Sequence, residues 1–178
     1  MEKDLLEIRK AIRDIPDFPK PGIVFKDITP LLANGRLFKR TIDIFAERYR
    51  PEKIDAVLGI ESRGFIIGAP LAYALGVGFS IVRKPGKLPH ETHSATYELE
   101  YGTDTLEVHR DAISPGARVL IVDDLIATGG TVSAAAALVT KLGGQVVEGA
   151  FVIELAFLNG REKFKPHNIF SLVNYNTE

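Results

Sequence analysis

The stretch RVLIVDDLIATGGT, residues 118–131, constrains the fold of this chain more than any other segment. Residues 119–122 form an uninterrupted apolar run, which is typical of a strand buried on both faces in a parallel sheet. Two aspartates, a glycine-rich loop and an apolar, helix-like segment follow the run. In open α/β sheets, ligands bind beyond the carboxyl ends of the strands, where a helix N-terminus offers free N–H groups to an anion. The stretch therefore predicts an anion site with two carboxylates beside it.

The glycine loop, residues 127–131, has the chemistry of a phosphate site. Gly129 and Gly130 lack a Cβ atom, so the backbone can adopt positive φ and approach phosphate oxygens closely. Thr128 and Thr131 add hydroxyl groups that can donate hydrogen bonds. The loop is therefore suited to hold a phosphate group.

The two aspartates, Asp123 and Asp124, would repel a phosphate placed directly against them. They are better suited to accept hydrogen bonds from neutral hydroxyls, such as a ribose diol, or to hold a hydrated Mg²⁺ at a distance. Together with the glycine loop they predict a site for a ribose 5-phosphate, with the sugar over the aspartates and the phosphate in the loop.

Two other interpretations of this stretch compete with the ligand site. Val-Asp-Asp at a strand end could be the Mg²⁺-binding acid of a P-loop nucleotidase, but the G-x-x-x-x-G-K-[ST] loop of such proteins does not occur in the chain. Aspartate and glycine are also common in ordinary turns, for reasons unrelated to ligands.

Composition limits the class of protein. With 178 residues, of which 46% are hydrophobic, the chain is long enough for one core, and we expect a single domain over residues 1–178. The net charge of −1 argues against a charge-driven grip on nucleic acid, and the absence of cysteine excludes disulfides and thiolate sites. The first residues are charged throughout, and no apolar run approaches the ~20 residues of a membrane span. We therefore expect a cytoplasmic protein with no nucleic-acid or membrane partner.

Two helices are predicted near the N-terminus. Leu5, Ile8 and Ile12 recur at helical spacing, and two prolines end that helix. The second helix ends at a third proline and carries an apolar stripe formed by Phe38, Ile42, Phe45 and Tyr49. Between the helices lies DFPKPGIVFKDITPLL, residues 17–32, whose prolines predict that it contains no regular helix. This proline-rich segment is either a stiffened loop that presents apolar side chains or a plain connector.

The rest of the chain alternates between strand and helix patterns. In order, the predicted elements are a strand at 54–60, a helix at 66–75, a strand at 77–82, a hairpin of 97–100 with 105–109, the strand at 119–122, a helix at 133–142, a strand at 146–155 and a short edge strand at 169–173. This alternation predicts an α/β fold with a doubly wound, mostly parallel sheet.

Two further segments follow strands of this sheet. The strand at 54–60 runs into the arginine turn, residues 61–65, whose guanidinium suits anionic oxygens, although the turn taken alone is better explained by a plain surface charge. The strand at 77–82 opens into the basic loop, residues 83–94, which holds three cations and few apolar anchors. A loop of this kind at the ligand end of a sheet indicates a lid over a polyanion, although a solvated connection would have a similar composition.

Four separated segments resemble one known family. They are PGIVFKDITPLL, IESRGFIIGAPLA, RKPGKLP with YELEYGTDTLEVH, and VDDLIATGGT. These segments are similar to the type I phosphoribosyltransferases, and among the purine enzymes of that family to those that act on adenine. The likeness extends over residues 17–173. It implies a doubly wound, mostly parallel sheet of the type I phosphoribosyltransferase kind, with an N-terminal hood at residues 1–34 and a flexible β-hairpin lid at residues 83–109.

The resemblance implies a purine salvage enzyme that converts adenine and 5-phosphoribosyl 1-pyrophosphate to AMP and pyrophosphate with Mg²⁺, and that forms a homodimer. A sibling enzyme acting on hypoxanthine, guanine or xanthine would differ only in the pocket that reads the base. A regulator that keeps the sugar-donor site but binds RNA or DNA is a different class, and the near-zero net charge argues against it. A phosphate-binding module without activity is the simplest alternative.

The resemblance also implies a role for each matching motif position. The catalytic residues would be Glu100, Arg63, Lys84 and Tyr101. The pyrophosphate would contact Glu61, Ser62, Arg63, Lys84 and Lys87. The ribose and its 5-phosphate would contact Asp123, Asp124, Ala127, Thr128, Gly129, Gly130 and Thr131. Adenine would contact Val24, Phe25, Lys26 and Leu125.

The resemblance adds detail on two of these residues, on the metal and on the arginine turn. Glu100 would carry a proton beside the purine nitrogens, although on sequence alone it is a solvent-facing strand residue. Tyr101 would help to close the site. Mg²⁺ would have no direct protein ligand, because the substrate would hold it, with water-mediated contacts from Asp123 and Asp124. The arginine turn would contain a cis peptide bond that does not involve proline.

Overall fold

The structure, a computed structural model, describes residues 2–98 and 103–177. The strands of these residues are β1 Arg13–Pro16, β2 Val24–Asp27, β3 Ala56–Ile60, β4 Gly78–Val82, β5 Thr92–Glu98, β6 Thr103–His109, β7 Arg118–Ile126, β8 Gln145–Leu155 and β9 Ile169–Tyr175. The helices are α1 Glu2–Lys10, α2 Thr29–Ala33, α3 Gly35–Tyr49, α4 Arg63–Leu75, α5 Gly130–Lys141 and α6 Gly160–Phe164, and short 3-10 helices occupy Arg50–Glu52 and Ala156–Leu158.

The central sheet has five strands in the order β4-β3-β7-β8-β9, and each neighbouring pair is parallel. Two antiparallel hairpins, β1 with β2 and β5 with β6, lie outside it. The alternation of strands and helices in the sequence therefore correctly predicted a parallel α/β sheet, and β9 lies at its edge as expected.

Both faces of the central sheet are covered, since side chains on a strand alternate between the two faces. On β7, Leu120 and Val122 pack in a core cluster that includes residues of α3 and α4. Val119 and Ile121 pack in a second cluster that includes residues of α5. All four side chains are completely buried. The uninterrupted apolar run in the sequence thus reflects burial on two sides, and the sheet is doubly wound.

The strand order reverses between β3 and β7, and open α/β sheets bind ligands at such a reversal. The two strands are paired in register, with Gly59 opposite Val122. The arginine turn and the paired aspartates therefore lie side by side. Their backbones are so close that a Cβ on Gly64 would lie 2.7 Å from the carbonyl oxygen of Val122. Glycine at this position lets α4 begin directly against β7.

The predicted end of the central strand at residue 122 is wrong. β7 continues through both aspartates to Ile126, because β8 runs beside it over the same length and pairs Leu125 with Ile153. The backbone hydrogen bonds of the sheet therefore extend past the apolar run, and the carboxylates project from the strand itself.

The prediction that the proline-rich segment contains no regular helix is also wrong in part. Residues Thr29–Ala33 form α2, in which Pro30 lies in the first turn, where the missing N–H group has no helical partner to lose. The rest of the segment holds β2 and the turn that joins it to β1, which precedes the segment. The hood at residues 1–34 therefore consists of α1, the hairpin of β1 and β2, and α2.

Other predicted elements are confirmed with shifted ends. α4 begins at Arg63, earlier than the expected residue 66, because the arginine turn is itself the first turn of the helix. The lid hairpin is longer than predicted, since β5 begins at Thr92 and β6 at Thr103. Among the helices that the structure describes, none has the length and apolar character needed to cross a membrane.

Candidate active site

The glycine loop joins β7 to α5 and surrounds a pocket of about 170 Å³. Gly129 has a φ of 82°, in the left-handed region, and Gly130 is the first residue of α5. The first N–H groups of this helix have no partner inside it and can donate to an anion. The described residues around the pocket are Asp123, Leu125, Ile126, Ala127, Thr128, Gly129, Gly130, Thr131, Val132 and Phe151.

The two adjacent carboxylates on β7 have different surroundings. Asp123 borders the pocket of the glycine loop and accepts a hydrogen bond of 2.8 Å from the backbone N–H of Asp124. Burial and the neighbouring Asp124 carboxylate raise the pKa of Asp123 above its ordinary value. Asp124 is only 3% exposed and forms an ion pair with the Nε of Arg63. One carboxylate therefore faces the pocket, and the other holds a cation.

The arginine turn presents its guanidinium beside this pair. Arg63 is the first residue of α4 and lies 5.4 Å from the centre of the Phe25 ring. Its side chain remains 43% exposed although Asp124 fixes its position. The preceding peptide bond, between Glu61 and Ser62, is cis, as the resemblance implied. Arg63 is therefore oriented by a buried carboxylate and still accessible to an anion.

Cations of the basic loop converge on Glu61. Its carboxylate accepts hydrogen bonds from the Nζ of Lys87 at 2.5 Å and from the backbone N–H of Lys84 at 2.9 Å, and the Arg83 guanidinium donates at longer distance. Burial opposes ionisation of Glu61, but these hydrogen bonds outweigh it and lower the pKa of the carboxyl to about 2. Glu61 is therefore a partly buried anion that holds the basic loop against the arginine turn.

The side chain of Lys84 is directed to the hairpin lid instead. Its Nζ lies 3.1 Å from Asp104 on β6, and the hydroxyl of Tyr97 on β5 donates to the same carboxylate at 3.3 Å. Burial raises the pKa of Tyr97, and the nearby side chain of Thr131 in the glycine loop partly opposes this effect. The lid is thus connected to both strand-end junctions. The sequence pattern gave no reason to select Asp104 or Tyr97, because alternating residues in a hairpin look alike.

The hood contributes an aromatic surface on β2. Phe25 packs edge-on against Phe18 with ring centres 5.2 Å apart, and its ring also lies near Arg63. The adjacent Lys26 is 4% exposed, and its Nζ donates to Asp14 at 2.8 Å and lies 4.4 Å from the centre of the Tyr175 ring. The side chain of Lys26 is therefore held by contacts within the protein. Only the backbone groups of this residue remain as polar atoms for a ligand.

Comparison with known proteins defines the family. A model of the phosphoribosyl transferase domain matches residues 27–176. Adenine phosphoribosyltransferase of Chloroflexus aurantiacus is 60% identical over 169 residues, which cover 95% of this chain and 98% of that protein. The protein of the same name from Geobacter metallireducens is also 60% identical, over 95% of this chain and 99% of its own length. The chain belongs to the adenine phosphoribosyltransferase family.

Solved structures of adenine phosphoribosyltransferases share this fold. That of Thermoanaerobacter pseudethanolicus has a TM-score of 0.94 and 56% identity, covering 96% of this chain and 99% of its own. That of Saccharomyces cerevisiae, in complex with adenine and an imino-altritol bisphosphate, has a TM-score of 0.93 and 46% identity, covering 97% and 99%. The five-stranded parallel sheet is therefore the type I phosphoribosyltransferase fold.

Two of the residues to which the family resemblance assigns catalytic roles, Glu100 and Tyr101, lie outside the described residues. Gly160 also lies near the site, but nothing in the sequence analysis selected it. It begins α6, and a Cβ on Gly129 would overlap its carbonyl oxygen. A glycine after Asn159 reads as an ordinary turn, and only the fold brings it to the glycine loop.

Proposed function

We propose that this chain transfers the 5-phosphoribosyl group of 5-phosphoribosyl 1-pyrophosphate to adenine, forming AMP and pyrophosphate in purine salvage. The relatives named above carry the name of this activity. Within the chain, the observation that best supports the proposal is the placement of the glycine loop and the arginine turn at neighbouring strand ends. A site for a sugar phosphate and a cation for a second anionic group thus lie side by side.

The sugar donor would span these two junctions. Its 5-phosphate would occupy the glycine loop, where backbone N–H groups and the hydroxyls of Thr128 and Thr131 can donate. Its ribose hydroxyls would donate to Asp123 and Asp124, and its pyrophosphate would lie toward the arginine turn and the basic loop. Binding of the pyrophosphate there would draw Lys87 away from Glu61 and Lys84 away from Asp104.

The reaction would be a direct displacement at C1′ of the ribose. N9 of adenine forms a bond to C1′ while the bond from C1′ to the pyrophosphate oxygen breaks, and the leaving oxygen keeps the electron pair. Positive charge builds on the sugar ring and negative charge on the leaving group. Arg63, Lys84 and Lys87 would stabilise the negative charge, and no nucleophilic side chain is needed. The proton on N9 would pass to Glu100.

The carboxylates fit an association with Mg²⁺, which when bound neutralises charge on the pyrophosphate oxygens. Carboxylate oxygens are ligands that this ion prefers, and Asp123 is the one that borders the pocket, because Asp124 is paired with Arg63. One available carboxylate is fewer than the about six ligands that Mg²⁺ takes. We therefore assign most of the coordination to the donor and to water.

Adenine would lie between the hood and the central sheet. Val24 and Phe25 on β2 and Leu125 beside the glycine loop would cover its faces, and the backbone of Lys26 would pair with its edge. The committed side chain of Lys26 supports this arrangement, because it holds the backbone of β2 in one position. Tyr101 would close the site from the lid.

Three broader predictions complete the proposal. We expect residues 1–178 to act as one domain, the chain to form a homodimer, and the protein to be located in the cytoplasm without nucleic-acid or membrane partners. Sedimentation equilibrium would test the homodimer, and fractionation of cells that express the chain would test the location.

The decisive experiment measures release of pyrophosphate from 5-phosphoribosyl 1-pyrophosphate and Mg²⁺, with adenine, hypoxanthine, guanine and xanthine added separately. We expect release with adenine. Release with another base and not with adenine would retain the mechanism and overturn the assignment of the base pocket. Binding of the donor without release for any base would overturn the enzymatic function and favour a regulator.

A further inference from the structure

We infer that Gly160, Arg161 and Glu154 position the glycine loop and thereby determine how tightly the 5-phosphate of the sugar donor is bound. The inference rests on the proposed function for the identity of that ligand. The backbone of Gly160 lies directly against the loop. A Cβ on Gly129 would overlap the carbonyl oxygen of Gly160, and a Cβ on Gly160 would overlap the carbonyl oxygen of Ala127. The two backbones can approach so closely only because neither position has a side chain.

Arg161, the next residue, fixes this contact to the central sheet. Its Nε and Nη2 each donate a hydrogen bond of 2.6 Å to a different carboxylate oxygen of Glu154 on β8. Its Nη1 donates at 2.8 Å to the backbone oxygen of Ile169, the first residue of β9. Two parallel charge-assisted hydrogen bonds fix the direction of a guanidinium as well as its distance. The start of α6 is therefore attached to two strands.

The carboxylate of Glu154 is itself constrained. It is 5% exposed, and it also accepts a hydrogen bond of 2.6 Å from the hydroxyl of Ser171 on β9. On the other side of α6, the hydroxyl of Ser133 in the first turn of α5 donates at 2.7 Å to the backbone oxygen of Lys163. α6 thus connects the sheet, the glycine loop and the helix that follows the loop. Its attachment through Arg161 is what keeps Gly160 beneath the phosphate site.

The same strand offers a matched pair for comparison. Arg48 donates from Nε and Nη2 to both oxygens of Glu148 at 3.0 Å, and Glu148 is 9% exposed. Glu148 lies opposite Leu120 near the beginning of β8, whereas Glu154 lies opposite Ile126 at the ligand edge of the sheet. The two pairs have similar chemistry and burial. They differ in position: Arg161 follows Gly160, which contacts the glycine loop, whereas Arg48 lies on α3.

The test compares Arg161→Met with Arg48→Met in the full chain. We expect both changes to lower the Tm, because each leaves a buried carboxylate without its cation. Only Arg161→Met should weaken binding of ribose 5-phosphate, measured by calorimetry, and raise the KM for the sugar donor, each by about tenfold, since a small displacement of a positioned group has effects of that order. The KM for adenine should stay within about twofold, because the hood that holds adenine does not depend on α6.

A second pair of variants covers the case in which Arg161→Met does not fold. Gly160→Ala places a methyl group 2.3 Å from the backbone oxygen of Ala127, whereas Gly144→Ala places one 3.0 Å from a side-chain carbon of Val139, a milder contact near the other end of α5. We expect weaker binding of ribose 5-phosphate in Gly160→Ala alone. Substitution of Arg161 by lysine, which keeps the charge without the paired donors, should recover part of the affinity.

Equal effects of the two arginine changes on ribose 5-phosphate binding would overturn the inference, as would normal affinity in folded Arg161→Met and Gly160→Ala. An unaltered chain that binds ribose 5-phosphate but releases no pyrophosphate with any base would overturn the proposed function alone. In that case the affinities of the variants for ribose 5-phosphate would still show whether Gly160 and Arg161 position the glycine loop or only stabilise the fold. An unaltered chain that does not bind ribose 5-phosphate would overturn both.

Discussion

The glycine loop and the arginine turn are both strand-to-helix junctions at the same edge of one sheet, yet they present different chemistry to a ligand. The glycine loop offers backbone N–H groups and hydroxyls at the start of α5, in a pocket already open to about 170 Å³. At the arginine turn the charged side chains are paired with one another. Glu61 holds Lys87, and Asp124 holds Arg63.

This difference indicates two ways of receiving an anion. The glycine loop is arranged before the ligand arrives, so it gains little from rearrangement and depends on an undistorted backbone. In the proposed complex, the arginine turn and the basic loop would exchange their internal carboxylates for the oxygens of pyrophosphate. Such exchange makes the internal ion pairs competitors of the substrate, and removal of a carboxylate can then strengthen binding as well as weaken it.

The largest expected effect comes from Gly129→Ala in the glycine loop. The substitution places a Cβ at a φ of 82° and against the carbonyl oxygen of Gly160, so the loop must move. We expect kcat/KM for the sugar donor to fall by about 100-fold. Gly116→Ala is the control, because Gly116 also has a φ of 82° but has open space around its Cβ position. Similar losses in both variants would show that backbone strain, and not displacement of the loop, is responsible.

Asp124→Asn should have the next largest effect, because it removes the buried charge that orients Arg63 and replaces an acceptor for the ribose with a neutral amide. We expect the KM for the sugar donor to rise about tenfold, with some loss of stability from the unpaired cation. Steady-state kinetics on the folded variant would measure this. Asp43→Asn, which removes an exposed partner of Lys39 on α3, should change nothing. Unchanged donor kinetics in Asp124→Asn would contradict the ribose assignment.

Asp104→Asn should act in the opposite direction. It releases Lys84 from a carboxylate that competes with pyrophosphate, and an exposed ion pair of this kind is worth up to about 1 kcal/mol. We expect the KM for the sugar donor to fall up to about fivefold, while the affinity for ribose 5-phosphate, which lacks pyrophosphate, stays the same. Weaker donor binding in this variant would mean that Asp104 positions Lys84 for the substrate.

The smallest effects concern stability against pH, and they have opposite signs at the two junctions. The pKa of Glu61 is lowered from 4.5 to about 2, so its ionised form stabilises the fold above pH 4.5, and this contribution is lost as the pH falls toward 2. The pKa of Asp123 is raised, so its ionisation destabilises the fold as the pH rises through that pKa. At pH 7, Glu61→Gln should therefore lower the free energy of unfolding, and Asp123→Asn should raise it.

Urea unfolding of the two variants and the unaltered chain, repeated between pH 7 and pH 3, would measure these differences. Both should shrink toward the acidic end, because protonation removes the charges that cause them. If Asp123→Asn is less stable than the unaltered chain at pH 7, the carboxylate supports the fold and is not held there for a ligand.

Much of the sheet could be predicted from the sequence, because burial on both faces leaves an unmistakable apolar run. Residues 119–122 identified the central strand, and the aspartates and glycines that follow them predicted the edge of the sheet where we expect the ligand. The end of β7 could not be predicted in this way. Its last residues stay in the sheet because β8 pairs with them, and such pairing is a property of the fold that does not appear in the pattern of one segment.

In the candidate site, too, some features could be predicted from the sequence and others could not. The family motifs selected Arg63 and the glycine loop, but they did not show that Arg63 is held by Asp124 or that Lys84 and Lys87 are paired with carboxylates. Partners such as Asp104 lie within segments that resemble the family, but the resemblance assigned them no role. Ion pairs depend on which segments the fold brings together, so they could not be inferred from spacing along the chain.

The contact of Lys26 with the ring of Tyr175 affects the order in which segments of the protein fold. β2 is synthesised well before β9, the last strand of the sheet, which contains Tyr175, so all the segments between them must emerge from the ribosome before the two residues can meet. Contacts between such distant segments form late, because closing a long loop costs entropy. The hood should therefore reach its final position only after β9 has joined the central sheet.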